Sequence, residues 1–146
     1  MAHQSGFATR SGLQIKLTGM TIQLTSVLVD DQEKALKFYT DVLGFVKKTD
    51  VPMGKYKWLT VVSPEGPGEI ELLLEPNENP AARTFQKALF DQGIPLTAFF
   101  TADIHKEHER MKKLGVAFRS EPMKAGPVTI AVFEDTCGNL IQLVQK

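Results

Sequence analysis

Two polar side chains interrupt apolar, strand-like runs, and both could take part in chemistry. Glu71 lies in the segment GEIELLLEP, and Gln142 lies in the segment GNLIQLVQK near the C-terminus. We predict that the pKa of Glu71 lies above its ordinary value, because an apolar setting disfavours the charge unless Gln142 or Ser26 donates to it, and a raised pKa suits a general acid or base. The same carboxylate could instead anchor a cationic or hydroxylated ligand. It could also be a solvated strand-end group bonded only to Gln142.

The histidines and the cysteine offer less chemistry. His105 and His108 stand three apart in the segment HKEHERMKK, whose charge density is typical of a solvated helix surface. We therefore expect both rings to be exposed and without function, and His3 lies in a polar N-terminal stretch. Cys137, in the segment DTCGN, is expected to be exposed but has no cationic neighbour to favour a nucleophilic thiolate.

The elements that must position these residues occur in a repeated order. TIQLTSVLVDD predicts a strand, and DQEKALKFYTDVLGF predicts a helix that Asp30 or Asp31 caps and Gly44 ends. FVKKTDV, YKWLTVVS and GEIELLLEP predict three more strands. After a short helix in NENPAARTFQKALFDQG, the order returns as PLTAFFTAD, IHKEHERMKKLG, VAFRSEP, PVTIAVFED and NLIQLVQ. The repeat predicts two β-α-β-β-β modules.

One helix per module can cover only one face of its sheet, which leaves a concave face free for a small molecule. We therefore predict an α+β fold of duplicated β-α-β-β-β modules forming a cupped mixed sheet with a concave ligand cleft. Module one spans 20–76, a linker helix lies in 77–94, and module two spans 95–146. Residues 1–19 are set aside as an N-terminal extension or a cloning remnant.

Strand alternation assigns side chains to the two faces of each sheet. The predicted concave face holds Ser26, Leu28, Leu73, Ala98, Phe100, Leu140 and Val144 beside Glu71 and Gln142. The predicted helix-covered face holds Val27, Val29, Ile70, Leu72, Phe99 and Ile141. Trp58 and Tyr56 lie on the third strand near the expected cleft mouth, where a ring could stack on a planar ligand or serve packing alone.

Composition and charge exclude several classes of function. The chain has 146 residues, 42% of them hydrophobic, and a formal net charge of zero, which fits one compact domain without a nucleic-acid partner. No apolar run approaches the ~20 residues of a membrane-spanning helix, so we expect no membrane partner. The single cysteine excludes an internal disulfide and makes a cytoplasmic location the expectation. PEGPGE precedes a strand rather than a helix, so it is not a dinucleotide-binding loop.

The sequence resembles the vicinal oxygen chelate superfamily, which includes glyoxalase I, extradiol dioxygenases and bleomycin-resistance proteins. VDDQEKALKFYTDVLGF and VFEDTCGNLIQL carry the resemblance, which runs from about Met20 to the C-terminus. In metal-dependent members four strand positions, usually His, Glu or Gln, converge on the cleft, and these fall here on Leu24, Glu71, Leu96 and Gln142. A leucine has no donor atom, and a zinc or nickel site needs about three protein ligands. Because the sequence departs from the family pattern at Leu24 and Leu96, we expect a cleft without a metal or other cofactor.

Two functions follow from the resemblance. The first is metal-independent binding of a small organic molecule. Its contacts would come from Glu71, Gln142, Ser26, Trp58, Phe100, Leu24 and Leu96. The second is a lyase or isomerase in which Glu71 transfers a proton, with or without a divalent metal. Relatives usually dimerise so that modules of two chains complete each cleft, which implies a homodimer here.

Overall fold

The computed structural model describes residues 7–10, 13–16 and 19–146, and every statement below concerns those ranges. The strands are β1 (Phe7–Arg10), β2 (Leu13–Lys16), β3 (Leu24–Val29), β4 (Val46–Met53), β5 (Tyr56–Val62), β6 (Glu71–Pro76), β7 (Thr97–Phe100), β8 (Met123–Ala125), β9 (Val128–Glu134) and β10 (Leu140–Gln145). The α-helices are α1 (Gln32–Lys37), α2 (Pro80–Asp91) and α3 (Ile104–Lys113). β1 and β2 pair antiparallel within the stretch that the sequence analysis set aside.

The first module is a mixed sheet in the order β3-β6-β5-β4, with β3 and β6 parallel and the other pairs antiparallel. The Asp31 side chain caps α1 by accepting a hydrogen bond from the backbone N–H of Lys34. Asp31 is one of the two residues predicted for this role. The predicted single helix has two parts, because α1 continues as a π-helical turn over Phe38–Val42 before Gly44. Gly44 has a φ of +81°, a conformation that costs other L-residues energy, so it ends the helix as predicted.

The second module repeats this plan in the order β7-β10-β9-β8, with Asp103 capping α3. The strand predicted in VAFRSEP is wrong, since only one bridge, Phe118 to Phe133, forms there and β8 begins at Met123. Pro122 has no N–H to donate to a ladder, so continuous pairing with β9 begins only after it. The two four-stranded mixed sheets and three α-helices confirm the predicted α+β fold class.

Residues of α1 and α3 share one core with the inner faces of the two sheets. The Phe38 ring beside α1 approaches Phe133 of β9 at 6.3 Å between centroids, and the Tyr39 ring approaches Phe99 of β7 at 6.2 Å. Inward-facing residues of both sheets are buried in that core: Val27, Val29, Leu59, Val61, Leu72, Leu74, Ala131, Ile141 and Leu143. Each sheet therefore presents its other face away from the core, and we call these two surfaces the outer faces.

The prediction that Ile70 lies in the core is wrong. Ile70 is 43% exposed, whereas the sequence placed it under a helix. It precedes β6, and its backbone N–H bonds to the carbonyl of Pro67 in the preceding turn, so strand alternation does not apply to it.

Candidate functional site

The predicted site residues divide between the two outer faces. On the first sheet Leu24 pairs with Glu71, and Ser26 lies in the next row opposite Leu73, so all four share one face. On the second sheet Gln142 pairs with Ala98, and Val144 pairs with Phe100. Because the core and helices separate the sheets, one chain does not bring Glu71 and Gln142 together.

Glu71 is held by two threonines of neighbouring strands. Thr60 Oγ1 on β5 donates to Glu71 Oε1 at 2.6 Å, and Thr49 Oγ1 on β4 donates to the same oxygen at 2.8 Å. These two residues face each other across the β4–β5 pair, beyond a bulge between Lys47 and Thr49. The expected donors, Gln142 and Ser26, are not its partners, and Glu71 Oε2 has no hydrogen-bond partner among the described residues.

The sequence-based expectation for the acidity of Glu71 is wrong in direction. The hydroxyl groups of Thr60 and Thr49 lower the pKa of Glu71, outweighing the opposing effect of desolvation, and the charge of Lys48 lowers it further. Hydrogen bonds to the charged form favour ionisation. The side chain is therefore suited to accept hydrogen bonds as a carboxylate rather than to act as a general acid near neutral pH.

Trp58 provides an aromatic surface on the same outer face as Glu71. It pairs with Val51 across β4–β5, two positions along β5 from Thr60, so alternation puts all three on one side of the sheet. The indole is 37% exposed, and Val51 and Leu24 are 50% and 44% exposed. Tyr56, two residues before Trp58, is half-buried beside the β4–β5 turn.

Gln142 is a polar group on the outer face of the second sheet, which also carries Glu134 opposite Leu140. Its strand neighbours there are Val132 on β9 and Ala98 on β7, and its side chain is half-buried. Its amide forms no hydrogen bond with the part of the chain that the structure describes. Leu96 lies just before β7, and its backbone N–H donates to the carbonyl of Leu140. Phe100 is 62% exposed, and the ammonium group of Lys146 lies over its ring at 5.2 Å from the centroid.

A buried polar network ties the modules together at the β9–β10 turn. Asp135 is fully buried and accepts hydrogen bonds from the Tyr39 hydroxyl at 2.8 Å, from the N–H groups of Cys137 and Asn139, and from the Asn139 amide. Burial and the neighbouring Asp135 carboxylate raise the pKa of Tyr39 well above its ordinary value, so the hydroxyl keeps its proton and donates it. This network belongs to the core rather than to a ligand site.

Gln86 of α2 extends the network to β3. Its amide nitrogen donates to the carbonyl groups of Leu28 and Cys137 and to Oδ1 of Asn139, at 3.0 to 3.1 Å. A Cβ atom on Gly138, whose φ is +100°, would lie 2.8 Å from this nitrogen. The turn and the helix are therefore fitted to each other at that glycine.

Cys137 is buried, not exposed as its place in a turn suggested. Its side chain lies in the core, because the turn folds inward against α1 and β3, where the Asp30 N–H bonds to its carbonyl. Burial and the nearby Asp135 carboxylate raise the pKa of the thiol to about 12. The thiol therefore stays protonated and is not a nucleophile at neutral pH.

His108 is also buried, against the expectation of a surface ring. It is 5% exposed, with its ring 4.4 Å from that of Phe118, while His105 is exposed as expected. His108 lies on the buried stripe of α3 between Ile104 and Met111, and this spacing was a signal that the surrounding charges obscured. Its Nε2 atom has no hydrogen-bond partner among residues 7–10, 13–16 and 19–146, and Oε2 of Glu121 is 3.6 Å away from it.

A crevice of about 670 Å³ lies between the modules on the side of the helices. Its floor is apolar, and Arg110 and Glu107 on its rim pair with each other through two hydrogen bonds. Asp103, also on the rim, is occupied as the cap of α3. Of the predicted site residues only Phe100 reaches this crevice.

The described residues contain no group of three or more His, Cys, Asp or Glu side chains that could hold a metal ion. Glu71 is flanked by Leu24 on one outer face, and Gln142 lies on the other, so a single chain offers no donor set there. None of the helices described is long and apolar enough to cross a membrane.

The two-module fold is that of a known protein superfamily. The family model of the Glyoxalase/Bleomycin resistance protein/Dioxygenase superfamily matches residues 21–143. The chain belongs to this superfamily, as its sequence resemblance indicated.

The chain is similar to one curated bacterial protein and to two solved structures in particular. The chain is 61% identical over 127 residues to the uncharacterized protein YurT of Bacillus subtilis (strain 168), covering 87% of this chain and 100% of that protein. The crystal structure of UcmS2 matches this chain with 30% sequence identity and a TM-score of 0.73, over 86% of this chain and 97% of the UcmS2 chain. TnmS3, an antibiotic binding protein from Streptomyces sp. CB03234, is also 30% identical, with a TM-score of 0.65 and coverage of 86% and 95%.

Proposed function

We propose that this protein binds a small organic molecule on its outer faces, without a metal or other cofactor. The observation that carries the proposal is the first outer face, where Glu71 shares an apolar surface with the exposed side chain of Trp58. Glu71 is ionised there, and its Oε2 atom has no hydrogen-bond partner in the described part of the chain. Ligand sites typically combine an apolar lining with a few fixed polar groups. Ser26 and Leu24 lie beside Glu71 and complete the contact surface on this sheet.

The second outer face supplies the remaining contacts. Gln142 offers both an amide donor and an amide acceptor, and the exposed Phe100 offers apolar surface near it. Leu96 packs against the core, so we expect it to support this face from beneath rather than to line it. TnmS3, which binds an antibiotic, shares the fold over most of this chain and supports a binding role.

A homodimer would complete the cleft. The outer faces of one chain point away from their shared core, and exposed Leu24, Val51 and Phe100 leave apolar surface on both. Such patches on a protein usually mark an interface or a ligand site. The first outer face of one chain against the second outer face of another would bring Glu71 and Gln142 to one ligand. A cytoplasmic location stays our expectation from the single cysteine.

The lyase or isomerase alternative receives no support from Glu71. A carboxyl group with a lowered pKa is a poor general acid and a weak base at neutral pH. The free oxygen and the neighbouring apolar surface suit ligand anchoring, so we retain binding as the function.

The test uses 2-naphthol, a planar aromatic molecule with one hydroxyl donor, and measures its binding by ligand-observed NMR, which applies equally to proteins with and without the single tryptophan, Trp58. We expect Trp58→Ala to weaken binding about tenfold, since aromatic stacking contributes ~0.5–1.5 kcal/mol beyond area burial. Phe85→Ala is the matched control, because Phe85 is a 53% exposed aromatic residue on α2. Equal binding by all three proteins, or no binding at millimolar probe, would overturn the proposal.

A further inference from the structure

The hydrogen bonds around Glu71 have a defined direction. The backbone N–H of Thr49 donates to Thr60 Oγ1 at 3.1 Å, and an N–H group can only donate. Thr60 is fully buried, so its hydroxyl proton has no water to meet and points at Glu71 Oε1, 2.6 Å away. The Thr49 hydroxyl adds a second donor to that oxygen.

This arrangement leaves the two carboxylate oxygens unequal. Oε1 receives two hydroxyl protons and cannot itself carry a proton, whereas Oε2 has no partner among the described residues. Hydrogen bonds from hydroxyl groups are stronger to a carboxylate than to a neutral carboxyl group. The threonines thus fix both the orientation and the charge of Glu71.

Other charges near this group are few. The ammonium group of Lys48 donates to the carbonyl of Gly68 at 2.6 Å, and its positive charge lowers the pKa of Glu71. Glu75 pairs with Leu28 on the same outer face and is exposed, adding a second negative charge. Among the described residues, Glu71 and Glu75 therefore place two carboxylates on the first outer face, and Lys48 is a nearby cation.

We propose that Thr49 and Thr60 are positioning residues that present Glu71 Oε2 as an acceptor, so that the ligand carries an ammonium or hydroxyl donor and not a carboxylate. This inference rests on the proposed binding function for its ligand class. The positioning role itself stands on the threonine geometry and can be measured without a ligand.

The first experiment follows the side-chain carboxyl signal of Glu71 by carbon-13 NMR against pH in four proteins. We expect Thr60→Val, which is nearly isosteric, to raise the pKa of Glu71, and Thr60→Ser to restore it because the serine hydroxyl can donate again. Thr84→Val is the matched control, since Thr84 is exposed on α2. Unchanged Glu71 titration in Thr60→Val would overturn the positioning role.

The second experiment compares benzylamine, benzyl alcohol and benzoate, which share one ring and differ in the polar group. We expect wild-type protein to bind benzylamine about tenfold more tightly than benzoate, the ratio that a charge-assisted hydrogen bond of ~1.4 kcal/mol gives. Glu71→Gln should remove most of that preference while benzyl alcohol still binds.

The outcomes separate the two proposals. Benzoate binding as tightly as benzylamine would overturn the ligand class while leaving small-molecule binding in place. No binding by any of the three, with the Thr60→Val titration shift present, would overturn the proposed function and keep the positioning role.

Discussion

Replacing Gly138 by alanine tests how the β9–β10 turn is fitted against α2. Any L-residue there has to adopt a φ of +100°, which costs ~1–2 kcal/mol in the left-handed region. The new Cβ would also lie 2.8 Å from the amide nitrogen of Gln86 and displace it. That nitrogen shares its two protons among three acceptors, and each hydrogen bond contributes ~0.5–1.5 kcal/mol.

The expected loss of unfolding free energy for Gly138→Ala is therefore about 4 kcal/mol, combining backbone strain with the loss of most of these bonds. The matched control is Gly115→Ala, because Gly115 has a φ of +89° but nothing within 4 Å of its would-be Cβ. The control should lose only about 1.5 kcal/mol.

Urea unfolding with linear extrapolation measures each loss. In a Gln86→Ala background the clash is gone, so Gly138→Ala should then cost about as little as Gly115→Ala, a strongly non-additive result. Equal losses for Gly138→Ala and Gly115→Ala, or strict additivity with Gln86→Ala, would refute the steric explanation.

Three further predictions concern groups whose surroundings differ from the sequence expectation. Cys137, buried and with its pKa raised to about 12, should not react with Ellman's reagent at pH 8 until the protein is unfolded; rapid reaction of native protein would contradict its burial. His108→Met should raise the unfolding free energy by about 1 kcal/mol, because it removes a buried Nε2 atom that has no hydrogen-bond partner among the described residues. His105→Met at the exposed position should change it by less than about 0.5 kcal/mol. The ionised form of Glu71 stabilises the fold above its ordinary pKa of 4.5, and this contribution disappears as the pH falls through the lowered folded value. The difference in thermal midpoint between wild type and Glu71→Gln should therefore shrink in acid, and a constant difference from pH 7 to pH 3 would argue against the lowered pKa.

The modular fold was predictable because its signals are local. Asp31 and Asp103 cap α1 and α3 from adjacent sequence, and period-two alternation places Val27 and Leu72 in the core and Leu24 on the outer face. Ile70 fails this rule because it precedes the strand, a boundary of one residue that alternation cannot fix.

The environment of Glu71 was not predictable, because it depends on register. Thr49 faces Thr60 only because of the bulge after Lys47, and a one-residue slip would turn Thr49 to the other side of the sheet. Thr49 and Thr60 lie on different strands, and the sequence around them does not predict that both will donate to Glu71. The separation of Glu71 from Gln142 likewise depends on how two sheets pack, which the repeat alone does not specify.

The polar network at the β9–β10 turn also has a consequence for the order of folding. The carbonyl of Leu28 takes an amide donor from Asn139, 111 residues later, and Tyr39 meets Asp135, 96 residues later. Contacts this distant in sequence form slowly, since a long loop must close before they contribute. During synthesis these groups of the first module therefore stay unpaired until residues 135–139 have been made, and native packing of that module is completed by the β9–β10 hairpin.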